Sequence, residues 1–120
     1  MLQSKTIIYK TAMTQEEQTQ DNKNLVLLVE DDVFLSQLLS IRLERAGLGV
    51  IRVMDGEAAI ETLKTKKPSL VLLDLILPKR SGFEVMEEMK SNPLLHKPPV
   101  MIISNLGQES DIARGNALGA

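Results

Sequence analysis

The hydrophobic and polar positions of the chain alternate between short apolar runs and longer segments with helical spacing. Four runs predict strands at residues 25–29, 49–53, 70–73 and 100–103. Three of them are apolar at every position, which is typical of strands that are covered on both faces. Strands that alternate with helices in this way form a parallel sheet with crossover connections. The pattern therefore predicts an α/β fold with a doubly wound parallel sheet.

Helix boundaries are marked by capping residues between the runs. Asp32 and Asp55 are each placed to cap a helix N-terminus, and Ser81 forms a Ser-x-x-Glu capping box with Glu84. Gly47 is placed to end the first helix in the left-handed conformation. The first helix has apolar residues at spacings near three and four, namely Phe34, Leu35, Leu38, Leu39 and Leu43.

Two prolines and a glycine mark the other helix ends. Pro68 follows the second helical pattern and Pro93 follows the third. A fourth, weaker helix is predicted at about residues 109–118, with Gly119 as its stop. Residues 25–120 therefore form the predicted core, with four strands and four helices.

The first 24 residues differ from the core in composition. Residues 11–24 are rich in Thr, Gln, Glu, Asp and Asn, which favours a disordered tail. Residues 6–10 nevertheless have the pattern of a short strand, and a second capping box from Thr14 to Glu17 predicts a short helix at 14–20. Both interpretations of residues 1–24 stay open at the level of sequence.

Composition narrows the classes of function. The chain has 120 residues, a net charge of −2 and one Tyr, two Phe and no Trp, which argues against a basic or base-stacking nucleic-acid module. No apolar run is long enough for a membrane helix, and the N-terminus does not resemble a signal peptide, so we expect a cytoplasmic protein. With no Cys and a single histidine, His96, any metal must be held by oxygen ligands.

Polar residues follow three of the four predicted strands. Glu30, Asp31 and Asp32 come directly after the first strand, Asp74 after the third and Ser104 after the fourth. Because the carboxyl ends of parallel strands meet at one edge, these side chains are expected to lie together. Gathered carboxylates repel one another, and a hard divalent cation relieves that repulsion. The pattern favours Mg²⁺, which accepts one or two carboxylates and leaves positions for phosphate oxygens.

A carboxylate beside such a cation also has nucleophilic chemistry. Asp74 could attack a phosphorus atom to give an aspartyl phosphate, with the metal neutralising the charge of the transferred group. Ser104 could then donate a hydrogen bond to a phosphoryl oxygen.

These residues carry a family resemblance. Asp31 precedes Asp74 by 43 positions, and Ser104 follows Asp74 by 30. At these spacings the chain resembles the receiver domain of two-component response regulators over residues 25–120. The segments that carry the resemblance are Val29-Glu30-Asp31-Asp32, Leu72-Leu73-Asp74-Leu75-Ile76-Leu77-Pro78 with Gly82, and Ile102-Ile103-Ser104-Asn105.

The resemblance implies a flavodoxin-like fold with strand order 2-1-3-4-5 and a role for each matching residue. Asp74 would be the phosphoacceptor, and Asp31 and Asp74 would bind Mg²⁺ directly. Glu30 would act through a water, and Ile76 would contribute its backbone carbonyl. Ser104 would be the switch residue that moves toward the phosphoryl group. Asp32 falls outside this set and is interpreted as the helix cap.

The resemblance also implies partners. The phosphoryl donor would be a histidine kinase or a phosphotransfer protein, and the output would pass to a downstream protein rather than directly to nucleic acid or a membrane. Such a domain is not an enzyme beyond slow self-dephosphorylation, and the bulky Ile76 and Leu106 are expected to restrict water. The alternative is a receiver-like interaction module that is not phosphorylated.

A receiver needs a fifth strand that ends in a phosphate-pairing lysine. Residues 6–10 resemble that strand, which makes Lys10 the candidate lysine. Residues 11–24 are long enough to let this strand reach the sheet edge within one chain. The same strand could instead pair in trans in a domain-swapped homodimer, or be the end of a preceding receiver. The sequence does not choose among these arrangements.

Overall fold

The computed structural model describes residues 24–103, 113, 114 and 116–119. The predicted strand at 6–10, the predicted helix at 14–20 and Ser104 lie outside the described residues. Of the predicted fourth helix, residues 113, 114, 116 and 117 are helical, and Gly119 has a φ of 101°. The predicted stop of that helix is therefore confirmed at its C-terminal end.

Strands and helices alternate along the rest of the chain. The strands are β1 (Leu25–Val29), β2 (Gly49–Val53), β3 (Leu70–Leu73) and β4 (Val100–Ile102), and the helices are α1 (Val33–Arg45), α2 (Gly56–Thr65) and α3 (Gly82–Ser91). β4 is one residue shorter than predicted, although the Ile103 amide still donates to the Leu73 carbonyl at 3.0 Å.

The sheet is parallel with strand order β2-β1-β3-β4, as a doubly wound fold requires. Every crossover passes through a helix, which is the connection that parallel neighbours need. The predicted fifth strand is not visible among the described residues. No described helix combines the length and apolar character that crossing a membrane requires.

The two faces of the sheet are covered unequally. α2 and α3 cover one face, where their buried side chains pack on alternate residues of β1 and β3. On the opposite face, Leu39 and Leu43 of α1 pack on Val26, Leu28 and Leu72. The first face therefore carries the larger part of the core.

α1 is capped as predicted, but the side of the helix that faces the sheet is not simply its most apolar side. The Asp32 side chain accepts a hydrogen bond from the Leu35 amide at 3.1 Å, and the buried residues of the helix are Ser36 and Ser40. Ser36 accepts a hydrogen bond from the Arg52 Nε at 2.8 Å, which satisfies its buried hydroxyl. Two apolar residues of the periodic pattern, Phe34 and Leu38, are instead exposed, and so is Ile41, which was not part of that pattern.

The other two helix starts follow the predicted capping. Asp55 accepts a hydrogen bond from the Ala58 amide at 2.7 Å. Ser81 and Glu84 make both hydrogen bonds of the capping box, each at 3.2 Å. Gly47 follows α1 with a φ of 91°, a conformation that glycine adopts without steric cost. The capping residues thus mark where the helices begin at the carboxyl edge of the sheet, and Gly47 marks where α1 ends.

Candidate functional site: an acidic cluster at the carboxyl edge of the sheet

Backbone hydrogen bonds bring the ends of β1 and β3 to the same place. The Glu30 amide donates to the Val53 carbonyl at 3.1 Å, and the Asp74 amide donates to the Val29 carbonyl at 3.0 Å. Both residues thus continue the strand ladders by one step and are held by the backbone of the neighbouring strand. The site is built on rigid elements rather than on a loose loop.

Three of the predicted carboxylates come together at this edge. Glu30, Asp31 and Asp74 each offer one oxygen, and these oxygens all lie within 4.8 Å of one another. Glu30 is buried with 2% of its surface accessible, Asp74 is half-buried and Asp31 is exposed. The cluster therefore reaches from the interior to solvent, so a cation can enter from outside.

The electrostatics of Glu30 reflect this crowding. Burial, with a smaller contribution from the neighbouring Asp74 carboxylate, raises the pKa of the Glu30 carboxyl from an ordinary value of 4.5 to about 7. The hydrogen bond from the Asp32 amide, at 3.0 Å, acts in the opposite direction. A buried carboxylate with these neighbours is stabilised either by a proton or by a cation.

The donor set fits one kind of ion. All three groups are carboxylate oxygens, which hard divalent cations prefer. Asp31 and Asp74 are accessible enough to bind directly, and a small octahedral ion would retain waters on its solvent side. The residues therefore fit Mg²⁺, or the similar Mn²⁺, better than a soft metal.

Asp74 is oriented by the loop that follows it. Its Oδ1 accepts a hydrogen bond from the Ile76 amide at 3.2 Å, which fixes the plane of the carboxylate. The Gly82 amide donates to the Leu75 carbonyl at 2.9 Å, and the first turn of α3 packs directly on the Asp74 backbone. A β-carbon at Gly82 would collide with the Asp74 carbonyl oxygen, so only glycine permits this approach.

A second contact fixes the far end of the same loop. Gly56, at the start of α2, lies so close to the Arg80 backbone that a β-carbon would collide with the Arg80 carbonyl oxygen. The Arg80 side chain pairs with Glu88 at 3.2 Å, and Lys79 has a positive φ of 67°. The loop between Asp74 and α3 is therefore held between the N-termini of two helices.

The sequence predicts that Glu30, Asp31 and Asp74 lie together, as they do, but it predicts only part of the framework that holds them. Gly82 belonged to the quoted motif, although its contact with Asp74 was not predicted. The closeness of Gly56 to Arg80 and the left-handed Lys79 were missed. The only sequence signal for Gly56 was its position directly after the cap Asp55, which does not reveal what packs against it.

The remaining predicted residues divide into two groups. Asp32 lies outside the acidic cluster and caps α1, as predicted. Ile76 is close to Asp74 and its side chain is 59% exposed at the mouth of the site. Lys10, Ser104 and Leu106 lie outside the described residues.

A parallel α/β sheet with an acidic cluster at its carboxyl edge defines the class of this domain. Residues 26–120 match the family model of the response regulator receiver domain. The chain belongs to this family, which confirms the resemblance that its motifs carry. It is thus a receiver domain, the kind of domain that response regulators use in two-component signalling.

Individual relatives agree with this assignment. The alkaline phosphatase synthesis transcriptional regulatory protein PhoP of Bacillus subtilis is 37% identical over 95 residues, which cover 79% of this chain and 39% of that protein. The chain spans about two-fifths of the length of the curated relatives that it matches.

Solved structures show the same fold. The Mn²⁺-bound form of response regulator Rcp1 is similar with a TM-score of 0.71 and 35% identity, over 79% of this chain and 75% of that one. The BeF3-activated N-terminal receiver domain of RstA from Klebsiella pneumoniae has a TM-score of 0.74 and 26% identity, over 81% of this chain and 80% of that one.

Proposed function

We propose that this domain is a phosphorylation switch that accepts a phosphoryl group on Asp74 in a Mg²⁺-dependent reaction. The observation that carries the proposal is the cluster of Glu30, Asp31 and Asp74, with oxygens within 4.8 Å at the carboxyl edge of the sheet. Asp31 and Asp74 would hold the ion directly, Glu30 through a water, and Ile76 through its backbone carbonyl. The Mn²⁺-bound relative supports a divalent ion in such a domain.

The chain's own residues contribute to the reaction by orienting the Asp74 carboxylate, which acts as the nucleophile. An oxygen of Asp74 attacks the phosphorus of a phosphohistidine, a P–O bond forms, and the P–N bond breaks with its electron pair returning to the imidazole. The Ile76 amide holds Oδ1 of Asp74 at 3.2 Å, which orients the carboxylate before the donor arrives. Bound Mg²⁺ would neutralise the charge on the transferred group.

Ser104 is the proposed switch residue. In the register of β3 and β4, Leu73 pairs with Ile102, and the Ile103 amide continues the ladder to the Leu73 carbonyl. In the sequence, Ser104 comes directly after Ile103, just as Asp74 comes directly after Leu73. We infer that its hydroxyl donates to a phosphoryl oxygen on Asp74 and that the segment after it is repositioned.

Lys10 is the proposed phosphate-pairing residue. Among the described residues β4 pairs with β3 alone, so its other edge can accept one more strand. Residues 6–10 would occupy that edge and bring Lys10 to the carboxyl end. The arrangements in cis and in a domain-swapped homodimer both remain compatible with this proposal.

The proposed partners follow from the chemistry. A histidine kinase or phosphotransfer protein would supply the phosphoryl group in the cytoplasm, and a downstream protein would recognise the switched surface. The domain would not act as an enzyme, apart from slow self-dephosphorylation. Direct binding of nucleic acid or a membrane is not part of the proposal.

Acetyl phosphate with Mg²⁺ tests the proposal without knowledge of the donor. Intact mass should show one added phosphoryl group that is lost in base, and the addition should disappear with EDTA and in Asp74→Asn. Asp32→Asn is the matched control, because Asn caps a helix as well as Asp does and the residue lies outside the cluster. Labelling that survived Asp74→Asn would contradict the assignment, and a domain that bound no Mg²⁺ would point to the unphosphorylated interaction module.

A further inference from the structure

One side of α1 points directly away from the sheet and carries exposed apolar side chains. Phe34, Leu38 and Ile41 have 86%, 49% and 40% of their surface exposed, and Arg45 is exposed one turn further along the helix. At the helical rotation per residue these four lie within about 60° of one another, opposite the buried Ser36. We call Phe34, Leu38, Ile41 and Arg45 the outer stripe of α1.

The spacing of the outer stripe is that of a seam between two helices. Its members follow one another at intervals of four, three and four residues, as the a and d positions of a coiled coil do. Exposed apolar residues that are scattered singly are normal, but a row of them along one helix face indicates a surface that another molecule covers. A helix that pairs with α1 along this seam would bury all three apolar side chains together.

The two ends of α1 carry charges of opposite sign. Asp31 and Asp32 precede the helix at the carboxyl edge of the sheet, and Arg42 and Arg45 lie in its last turn at the opposite, amino edge. None of these four residues forms an ion pair with another residue that the structure describes. A second α1 therefore complements the first when it runs antiparallel, because only that orientation places acid against base at both ends.

We propose that the outer stripe of α1 is the interface of a symmetric homodimer, in which the α1 helices of two copies pair antiparallel. A twofold axis that passes between Leu38 and Ile41 makes every contact occur twice. Leu38 then meets the partner's Ile41, and Phe34 meets the partner's Arg45. A guanidinium over the face of the exposed Phe34 ring is a favourable cation–π pair, and the same arginine comes within reach of the partner's Asp32.

The size of this interface sets the strength that we expect. α1 has 13 residues and is about 20 Å long, so one pair of such helices buries less than the roughly 1,200 Å² at which stable interfaces begin. Aromatic and arginine side chains nevertheless contribute most to binding, and the outer stripe offers both. We therefore expect a reversible dimer with a dissociation constant on the order of 10–100 µM, which is well populated in concentrated solution.

Sedimentation velocity of the full chain measures this association without Mg²⁺ or a phosphoryl donor. Between about 5 and 500 µM the weight-average sedimentation coefficient should rise from the monomer value toward the dimer value. Leu38→Lys should weaken the association at least about ten-fold, because it places two lysines near the twofold axis and close to the partner's arginines. Leu94→Lys is the matched control, since it changes an exposed leucine outside α1 and should leave the association unchanged.

Mixed chains reveal the orientation of the two helices. The chain has no Cys, so Glu44→Cys can carry a single nitroxide, and this chain is mixed with an isotopically enriched one that has no label. Amide resonances of residues 33–37 in the enriched chain should broaden most, because antiparallel pairing brings residue 44 opposite residue 35. The broadening should disappear when the enriched chain carries Leu38→Lys.

Three outcomes would overturn the proposal. A chain that stays monomeric at 500 µM would leave the outer stripe to a different protein. Association that Leu38→Lys does not weaken would place the interface elsewhere, as in an exchange of the N-terminal strand. Broadening centred on residues 44–46 would mean that the helices run parallel. Because no step depends on Asp74, each outcome is independent of whether the domain is phosphorylated.

Discussion

The two edges of the sheet differ in how their residues are held. At the carboxyl edge, the backbone of β1, β3 and the first turn of α3 positions the carboxylates, and helices approach so closely that glycine is required. At the amino edge, Gly47 turns the chain, and no atom lies within 4 Å of the place where a β-carbon would be. Lys66 and Lys67, which precede β3, are exposed there. The carboxylates at the carboxyl edge are therefore held close together despite their mutual repulsion, whereas the lysines at the amino edge extend into solvent.

Alanine at two glycines should give the largest contrast between the edges. Gly82→Ala places a β-carbon against the Asp74 carbonyl oxygen and should destabilise the domain by at least about 3 kcal/mol, because the backbone must shift. Gly47→Ala meets no neighbour, and its φ of 91° should cost only about 1 kcal/mol. Urea unfolding of both variants measures the difference, and equal losses would contradict the close packing at Asp74.

The pH dependence of stability comes from the carboxyl edge. Because the folded pKa of Glu30 is raised to about 7 from 4.5, the folded state retains a proton that the unfolded state has lost between these values. Stability in EDTA should therefore fall as pH rises through this window, by on the order of 2–3 kcal/mol.

Magnesium should reverse that trend, since the ion competes with the Glu30 proton and its affinity rises with pH through about 7. Thermal unfolding between pH 4.5 and 8, with and without Mg²⁺, measures both effects. Glu30→Gln removes the titrating carboxyl group, so its stability in EDTA should lose the fall between pH 4.5 and 7 that Glu30 causes. A slope that the variant retained would show that another group titrates.

Asp31 and Asp32 are neighbours at the carboxyl edge, but we expect them to have different roles. Asp32→Ala removes the α1 cap and should cost about 1 kcal/mol while leaving Mg²⁺ affinity nearly unchanged. Asp31→Ala should lose Mg²⁺ affinity without a comparable loss of stability, because it removes a repelling charge from the cluster. Calorimetric titration with Mg²⁺, alongside unfolding, distinguishes the two, and the opposite assignment of effects would refute the division.

Changes at the amino edge should have the smallest effect on stability. Lys66→Gln/Lys67→Gln replaces two exposed side chains and should alter the free energy of unfolding by no more than about 0.5 kcal/mol. The same urea experiment checks this value. A loss as large as that of Gly82→Ala would mean that these lysines are part of the packed structure.

Local signals explain why much of the fold could be predicted. Asp32, Asp55 and Ser81 cap the helices that follow them, and the strands coincide with apolar runs, because both features depend on nearby residues. The meeting of Glu30, Asp31 and Asp74 was also predictable, since the parallel pairing of β1 and β3 brings the residues that follow them to one edge.

Features that depend on residues distant in the sequence could not be predicted from the sequence. The periodic pattern of α1 includes Phe34 and Leu38, yet the sheet contacts the side of the helix that carries Ser36 and Ser40. Several apolar positions around one helix leave its orientation undetermined until the rest of the fold is known. The packing of Gly56 on Arg80 joins segments 24 positions apart, and no local pattern marks such a contact.

The most direct measurement of the central claim is the position of the phosphoryl group. The domain is treated with acetyl phosphate and Mg²⁺, the acyl phosphate is reduced with borohydride, and the reduced side chain is located by peptide mass spectrometry. We expect a single reduced side chain at Asp74, absent when EDTA is present. Reduction at Asp31 or at an acidic residue outside the cluster, or modification that persists without a divalent ion, would contradict the account.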